Sequence, residues 1–359
     1  MVSTAGFFIT LTPHWGKERH MLSQSAFVNS LERRLLMCHG LHVDGIGVLG
    51  DSYSDEYCFY APVRASAQNW VEQLADDTNA SFGRFYKDDP PGPRNAGFAY
   101  NWATSGATST QMLDDGMVAG VAAQAASGKV DLVTMFIGGD DFRAVFAQAV
   151  SDPVGAGASI PGVVQKLLTN IGTAAGAVLS PAVVAANPDV HLILTTIPKL
   201  SYLPEVRNVV VQVPQFQALV DAVDGAIGIV NQQLIAIAHQ NSRIAVNDYA
   251  TWVDDAFAQP IFKVGNVVMD RTALSNPTND PTCFVLADGL HSGTVAQGLL
   301  ANLYVQTAND AFDAHLQSLS TKDILKNADL YQAPPKCKPA SVFAFGKAIG
   351  HHCVDDVLN

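Results

Sequence analysis

Positive charge is what this chain has least of. Its 21 Lys and Arg stand against 33 Asp and Glu, a formal net charge of −12, and charged residues of both signs make up only 15% of the 359 residues. Average soluble domains carry roughly 25%. A protein that grips nucleic acid needs basic surface to displace phosphate counterions, so this balance argues against a nucleic-acid partner. Blocks of like charge are absent as well, which removes a tail for DNA or anionic lipid. Long apolar runs are missing. The most apolar stretch, residues 174–186, is broken by Ser180 and Pro181 and falls short of the roughly 20 residues of a span, so no transmembrane segment is expected. Cysteine is scarce and odd in number: Cys38, Cys58, Cys283, Cys337 and Cys353, with no CxxC motif for a metal or redox centre. Cys337 and Cys353 could close a small loop, but free or buried thiols are the preferred reading. A clear signal peptide is also lacking. Arg33 to Cys38 begins like one, but His39 and His42 cut the apolar run short, so the compartment stays open, with secretion or a periplasmic location the favoured side.

What is abundant is apolar residue, 48% of the chain, enough for a large core and too much for disorder. Residues 1–42 show no sustained period and read as an extension holding one short helix over 25–38. From Val43 the texture changes. Short apolar runs at 46–49, 132–137, 191–197 and 243–246, with a weaker one at 82–86, read as five strands. Between them lie helical stretches at 67–75 (capped by Ser66), 112–127, 161–186 and 215–239, and another follows at 294–316. Strands alternating with helices imply parallel βαβ units in one α/β domain over residues 43–316, followed by a tail over 317–359. Ligands of such sheets collect at the carboxyl ends of the strands.

Two strand ends, a loop between them and one late turn carry chemistry. Gly50-Asp51-Ser52 follows the first strand and can present a hydroxyl at the sheet edge, although Gly, Asp and Ser also favour ordinary turns. Asn101 to Thr108 forms a small-residue loop with backbone N–H groups to offer an anion. Gly138-Gly139-Asp140-Asp141 closes the third strand and could line a polar pocket or bind a metal. Near the end, Asp288-Gly289-Leu290-His291 places a carboxylate three residues before a histidine, close enough to fix its tautomer. Of the ten histidines, His291 has the best local case for a base.

These four segments, in this order, resemble the blocks of the GDSL esterase/lipase family, also called SGNH hydrolases. The resemblance covers about 250 residues and implies a three-layer α/β/α sandwich around a five-stranded parallel sheet. It implies hydrolysis of carboxylic esters through an acyl-enzyme, on lipid acyl or acetyl-glycan substrates. Ser52 would be the nucleophile, His291 the base and Asp288 its orienter. The oxyanion hole would be built from Ser52, Gly106 and Asp140, with no metal or organic cofactor. His351, His352 and Cys353 could bind a metal, but an unstructured tail is the preferred reading. The G-x-S-x-G elbow of α/β-hydrolases does not occur. One block departs from the pattern: Asp140 stands where the family has Asn. An ionised carboxylate has no proton for an oxyanion, so Asp140 is protonated, or the hole rests on Ser52 and Gly106, or the chain is a silent binding module for acyl or acetylated glycan ligands.

Overall fold

The computed structural model describes residues 40–87 and 96–332. The helix expected over 25–38, three of the five cysteines and the His351-His352-Cys353 cluster lie outside them. Four strands make one parallel sheet in the order Ile46–Gly50, Leu132–Phe136, His191–Thr195, Ile244–Asn247. Their side chains alternate between two cores. Leu49, Val133, Met135, Leu192 and Leu194 face the helices Met117–Ala126, Pro153–Val178 and Gln217–Gln240. Ile46, Val48, Leu132, Phe136 and Ile193 face Trp70–Asp77, Tyr249–Ala258 and Thr294–Phe312. Sheet residues buried on both sides must be apolar throughout, which is why these strands read as short continuous runs. The three-layer α/β/α fold is as expected.

The sheet has four regular strands rather than five. The expected second strand shrinks to Phe85–Tyr86, which pairs antiparallel with Gly97–Phe98 apart from the main sheet. The outer edge of the first strand is covered instead by the loop at 100–104. Val48 N–H donates to the Tyr100 carbonyl, Trp102 N–H to Val48 and Thr104 N–H to Gly50. This segment is an irregular fifth ribbon, which satisfies edge groups without regular strand geometry.

Helix boundaries moved for local reasons. The expected 112–127 helix is two, Ser109–Asp114 and Met117–Ala126, because Gly116 turns left-handed at φ +80°. The 161–186 stretch begins earlier, at Pro153, and breaks before Pro181. Together its two helices are long and apolar enough by composition to cross a membrane, yet Leu167, Ile171, Ala174 and Val178 pack into the core. Gly139–Ala149 and Pro204–Gln212 are helices that the sequence pattern did not reveal. Beyond residue 316, Thr321–Asn327 packs Ile324 and Leu325 into the opposite core, with Trp70 and Leu300.

The first helix starts at Trp70, and its cap is Asn69 rather than Ser66, which sits in a preceding 3-10 turn. Asn69 Oδ1 accepts the Glu72 N–H at 3.0 Å, the Glu72 carboxylate accepts the Asn69 N–H at 2.8 Å, and Asn69 Nδ2 donates to the Asp55 carbonyl at 2.9 Å. Asn69 is fully buried, so removing its amide loses a cap and strands polar groups away from water. Asn69→Ala should lower unfolding free energy by about 2 kcal/mol or more in urea titration. A change under about 0.5 kcal/mol, the usual surface-substitution range, would contradict this account.

Candidate active site

The turn after the first strand is set by hydrogen bonds to one residue. The Asp51 carbonyl accepts the N–H groups of Ser54 and Asp55, both at 3.1 Å. Its carboxylate Oδ1 accepts the Tyr53 N–H at 3.1 Å, the side-chain bond that makes Asp common in turns. Gly50 is needed before it, because a Cβ there would lie 2.6 Å from the Phe136 carbonyl oxygen. Ser52 is thereby held at the corner. Its side chain lines a cavity of about 50 Å³ shared with Asp51, Gly139, Asp140, Arg143 and Leu290. Its backbone N–H donates to no other described residue.

Side chains fasten the small-residue loop to this turn. Asn101 Nδ2 donates to the Ser54 carbonyl at 2.8 Å, and the Ser105 N–H donates to Asp55 Oδ2 at 2.8 Å. Buried Arg64 reaches both sides, with Nη2 at 2.9 Å from Ser105 Oγ and Nη1 at 3.4 Å from the Ser52 carbonyl. Its guanidinium lies 3.4 Å above the Tyr60 ring. Gly106 then turns left-handed at φ +79°, with open space where a Cβ would be and an N–H that donates to no described residue. Arg64 escaped the sequence reading because it sits in an aperiodic loop that announces no contact.

At the third strand end, Gly138 takes φ +118°, and Gly139 opens the Gly139–Ala149 helix. A Cβ on Gly139 would stand 3.6 Å from Asp51 Oδ2, so the first and third turns are packed together. The two aspartates that follow diverge. Asp141 accepts the Ser109 N–H at 2.8 Å and the Ser109 hydroxyl at 2.7 Å, a tie to the next helix. Asp140 Oδ1 pairs instead with Arg143 Nη1 at 3.0 Å, and Arg143 Nη2 reaches Glu205 Oε1 at 3.1 Å. The three-residue spacing of Asp140 and Arg143 was readable as a helical pair, had the helix itself been recognised.

Asp288 and His291 form a close pair across the late turn. Asp288 Oδ1 accepts the backbone N–H groups of Leu290 and His291, both at 3.0 Å, and Oδ2 lies 2.7 Å from His291 Nδ1. Burial pulls the Asp288 carboxyl up, but the bonds and charge of His291 and the backbone donors outweigh it and hold the group below the usual carboxylate range. An ionised Asp288 keeps the ring proton on Nδ1 and leaves Nε2 as the acceptor. Nε2 is buried and has no hydrogen-bond partner among the described residues, Ser52 included. Resting sites often form that bond only with substrate in place. Tyr53 joins the two segments. Its hydroxyl donates to the Leu290 carbonyl at 2.8 Å, and its ring lies 5.9 Å from the His291 ring, as does that of Tyr57. Among the described residues no cluster of side chains suits a metal ion.

The model of the GDSL-like lipase/acylhydrolase family matches residues 46–303, which takes in all four strands and every segment above. The chain belongs to that family. Its members are hydrolases of esters, and ester hydrolysis is the class of reaction in which the chain falls. No curated protein matches the sequence. Among solved structures it is similar to a lipase from a goat rumen metagenome, at 12% identity and a TM-score of 0.43, covering 73% of this chain and 96% of that one. A Streptomyces rimosus extracellular lipase matches at 18% identity and 0.38, over 57% and 80% of the two chains. A Clostridium thermocellum family 3 carbohydrate esterase matches at 12% and 0.38, over 75% and 96%.

One titration in this family member stands apart. Burial and the neighbouring Asp140 charge push the Asp51 carboxyl up to about 8, against the opposing Tyr53 N–H. The folded chain keeps the proton on Asp51 at pH values where the unfolded chain has already lost it. The resulting stabilisation is complete below the ordinary carboxylate range and is lost progressively as pH rises to about 8. The melting temperature should therefore fall between about pH 5 and pH 8, and Asp51→Asn should reduce that slope. Identical slopes in calorimetry would mean that Asp51 ionises normally.

Proposed function

We propose that the protein hydrolyses carboxylic esters through an acyl-enzyme on Ser52, with His291 as base and Asp288 as its orienter. The observation that carries this reading is the Asp288–His291 pair, 2.7 Å long, with the far nitrogen buried and unpartnered beside the Ser52 turn. Ser52 Oγ attacks the ester carbonyl carbon as its proton passes to His291 Nε2. That proton leaves with the alcohol when the C–O bond breaks. Water then attacks the acyl-enzyme, giving its proton to the same nitrogen, and the acid departs as Ser52 recovers its hydrogen. The free N–H groups of Ser52 and Gly106 are the proposed donors to the oxyanion.

Asp140 gives the silent binding module its only specific support, because a carboxylate beside an oxyanion repels it. Arg143 answers this objection. Its guanidinium, shared with the more exposed Glu205 at 3.1 Å, lies 3.0 Å from Asp140 and offsets the charge that Asp140 presents to the reacting atoms. The proton expected of a dry pocket sits on Asp51, next door.

Ser52→Ala should lower kcat by at least about 10³-fold on p-nitrophenyl acetate without changing the melting temperature, and a fluorophosphonate should label Ser52. His291→Ala should cost as much and Asp288→Asn less. Labelling of another serine, or full activity in Ser52→Ala, would return the binding module to first place.

Charge compensation is tested separately. Arg143→Gln should lower kcat/KM by about 10-fold to 10²-fold, and Asp140→Asn should raise it by up to about 10²-fold. The double variant should recover at least the wild-type value. If the Arg143→Gln loss persists in the double variant, neutralising Asp140 is not what Arg143 does.

A further inference from the structure

A groove of about 790 Å³ adjoins the Ser52 cavity, and the two share Asp140 and Arg143. One wall is a face of the Gly139–Ala149 helix and its cap, where Arg143, Ala144, Ala147 and Val150 recur at helical spacing. The other is a face of the Pro204–Gln212 helix and the turn after it, with Val206, Val209, Val213 and Phe216. Charged groups gather at the Ser52 end, in Asp140, Arg143 and Glu205, and apolar side chains take over beyond them. At the far end Val150 is 83% exposed and Val209 41%. Beyond the Arg143–Glu205 ion pair, which joins the two walls at 3.1 Å, two helix faces with apolar side chains oppose each other.

We propose that this groove holds the acyl chain of the ester, and that the protein therefore prefers medium-chain fatty acyl esters to acetyl esters. The inference rests on the acyl-enzyme reading above. Its direction follows from the geometry of that reaction. The leaving alcohol must face His291, which protonates it, so the acyl chain points away from His291. Gly106 and Asp140 line the groove, whereas Leu290 lines only the smaller cavity. The length follows from the helix. From Asp140 to Val150 the helix takes ten residue steps, or about 15 Å at 1.5 Å per residue. A carbon chain advances by no more than about 1.5 Å per bond, so such a run takes at least roughly ten carbons. An acetyl group would leave nearly all of it unfilled. A sugar would meet few hydrogen-bond partners along the Ala, Val and Phe walls, at a cost for each hydroxyl left unpaired.

Each methylene buried is worth about 0.8 kcal/mol, or up to roughly fourfold in kcat/KM. On the full chain, kcat/KM for p-nitrophenyl esters should rise at least ~10-fold from acetate to octanoate, below the concentration at which the longer ester aggregates. Ala147→Trp, which places an indole in the groove, should lower the octanoate-to-acetate ratio at least ~10-fold. Val209→Asp should lower the same ratio from the opposite wall, and it serves if the Trp variant loses its fold. Hydrolysis that depends on Ser52 but is fastest on acetate, or a ratio unmoved by either folded variant, overturns the groove assignment alone. No hydrolysis of any ester, with Ser52 unlabelled by fluorophosphonate, overturns the hydrolase reading and the assignment with it.

Discussion

Parallel strands in register end together, and the site depends on that constraint. Gly50 pairs with Phe136, Met135 with Leu194 and Thr195 with Asn247, so the chain leaves each strand at the same edge. Whatever residues come next are neighbours regardless of their distance in sequence. Asp51 and Ser52 follow Ile46–Gly50, Gly138 and Gly139 follow Leu132–Phe136, and Ile197 follows His191–Thr195. A Cβ on Gly138 would lie 2.7 Å from Ile197 Cδ1, and one on Gly139 would lie 3.6 Å from Asp51 Oδ2. Gly138 must be glycine because a Cβ there would collide with Ile197 and its φ is +118°, whereas at Gly139 the Asp51 turn is in ordinary contact.

The second theme is how a strongly acidic chain manages acid at one edge. Several aspartates gather near Ser52, and four of them are accommodated in four different ways. Asp51 keeps its proton. Asp140 takes a guanidinium, Asp141 two donors from Ser109, and Asp288 two backbone N–H groups and an imidazole. With only 21 Lys and Arg in the chain, Arg143 and buried Arg64 are drawn from a small stock. A carboxylate near the oxyanion is tolerable in this arrangement because its partner lies three residues on along the same helix.

Legibility in the sequence followed periodicity. The four sheet strands were visible because complete burial leaves a continuous apolar signature, and the Gln217–Gln240 helix because Leu219, Val223, Ile227, Val230 and Leu234 recur at three- and four-residue spacings. The fifth strand was overcounted because the edge is covered by Tyr100 to Thr104, which pairs through backbone groups that carry no compositional mark. Gly139–Ala149 was missed because it opens on glycine and two aspartates, which read as a turn. The Asp288–His291 contact was readable from a spacing of three. Arg64 was not, because its partners lie 12 and 41 residues away across loops.

His291 stands three residues before the Thr294–Phe312 helix, and most of that helix is buried. Val295, Leu300, Ala301, Tyr304 and Val305 lock it against the sheet and against Trp70. Segments buried this thoroughly open only when the whole domain does, whereas exposed turns open at little cost. The imidazole is thus tethered to one of the last parts of the protein to yield, while its carboxylate partner sits on a half-exposed turn. On warming, Asp288 would swing away from the ring well before the ring itself is displaced. The first casualty of heat would be the choice of imidazole tautomer, with the scaffold still standing.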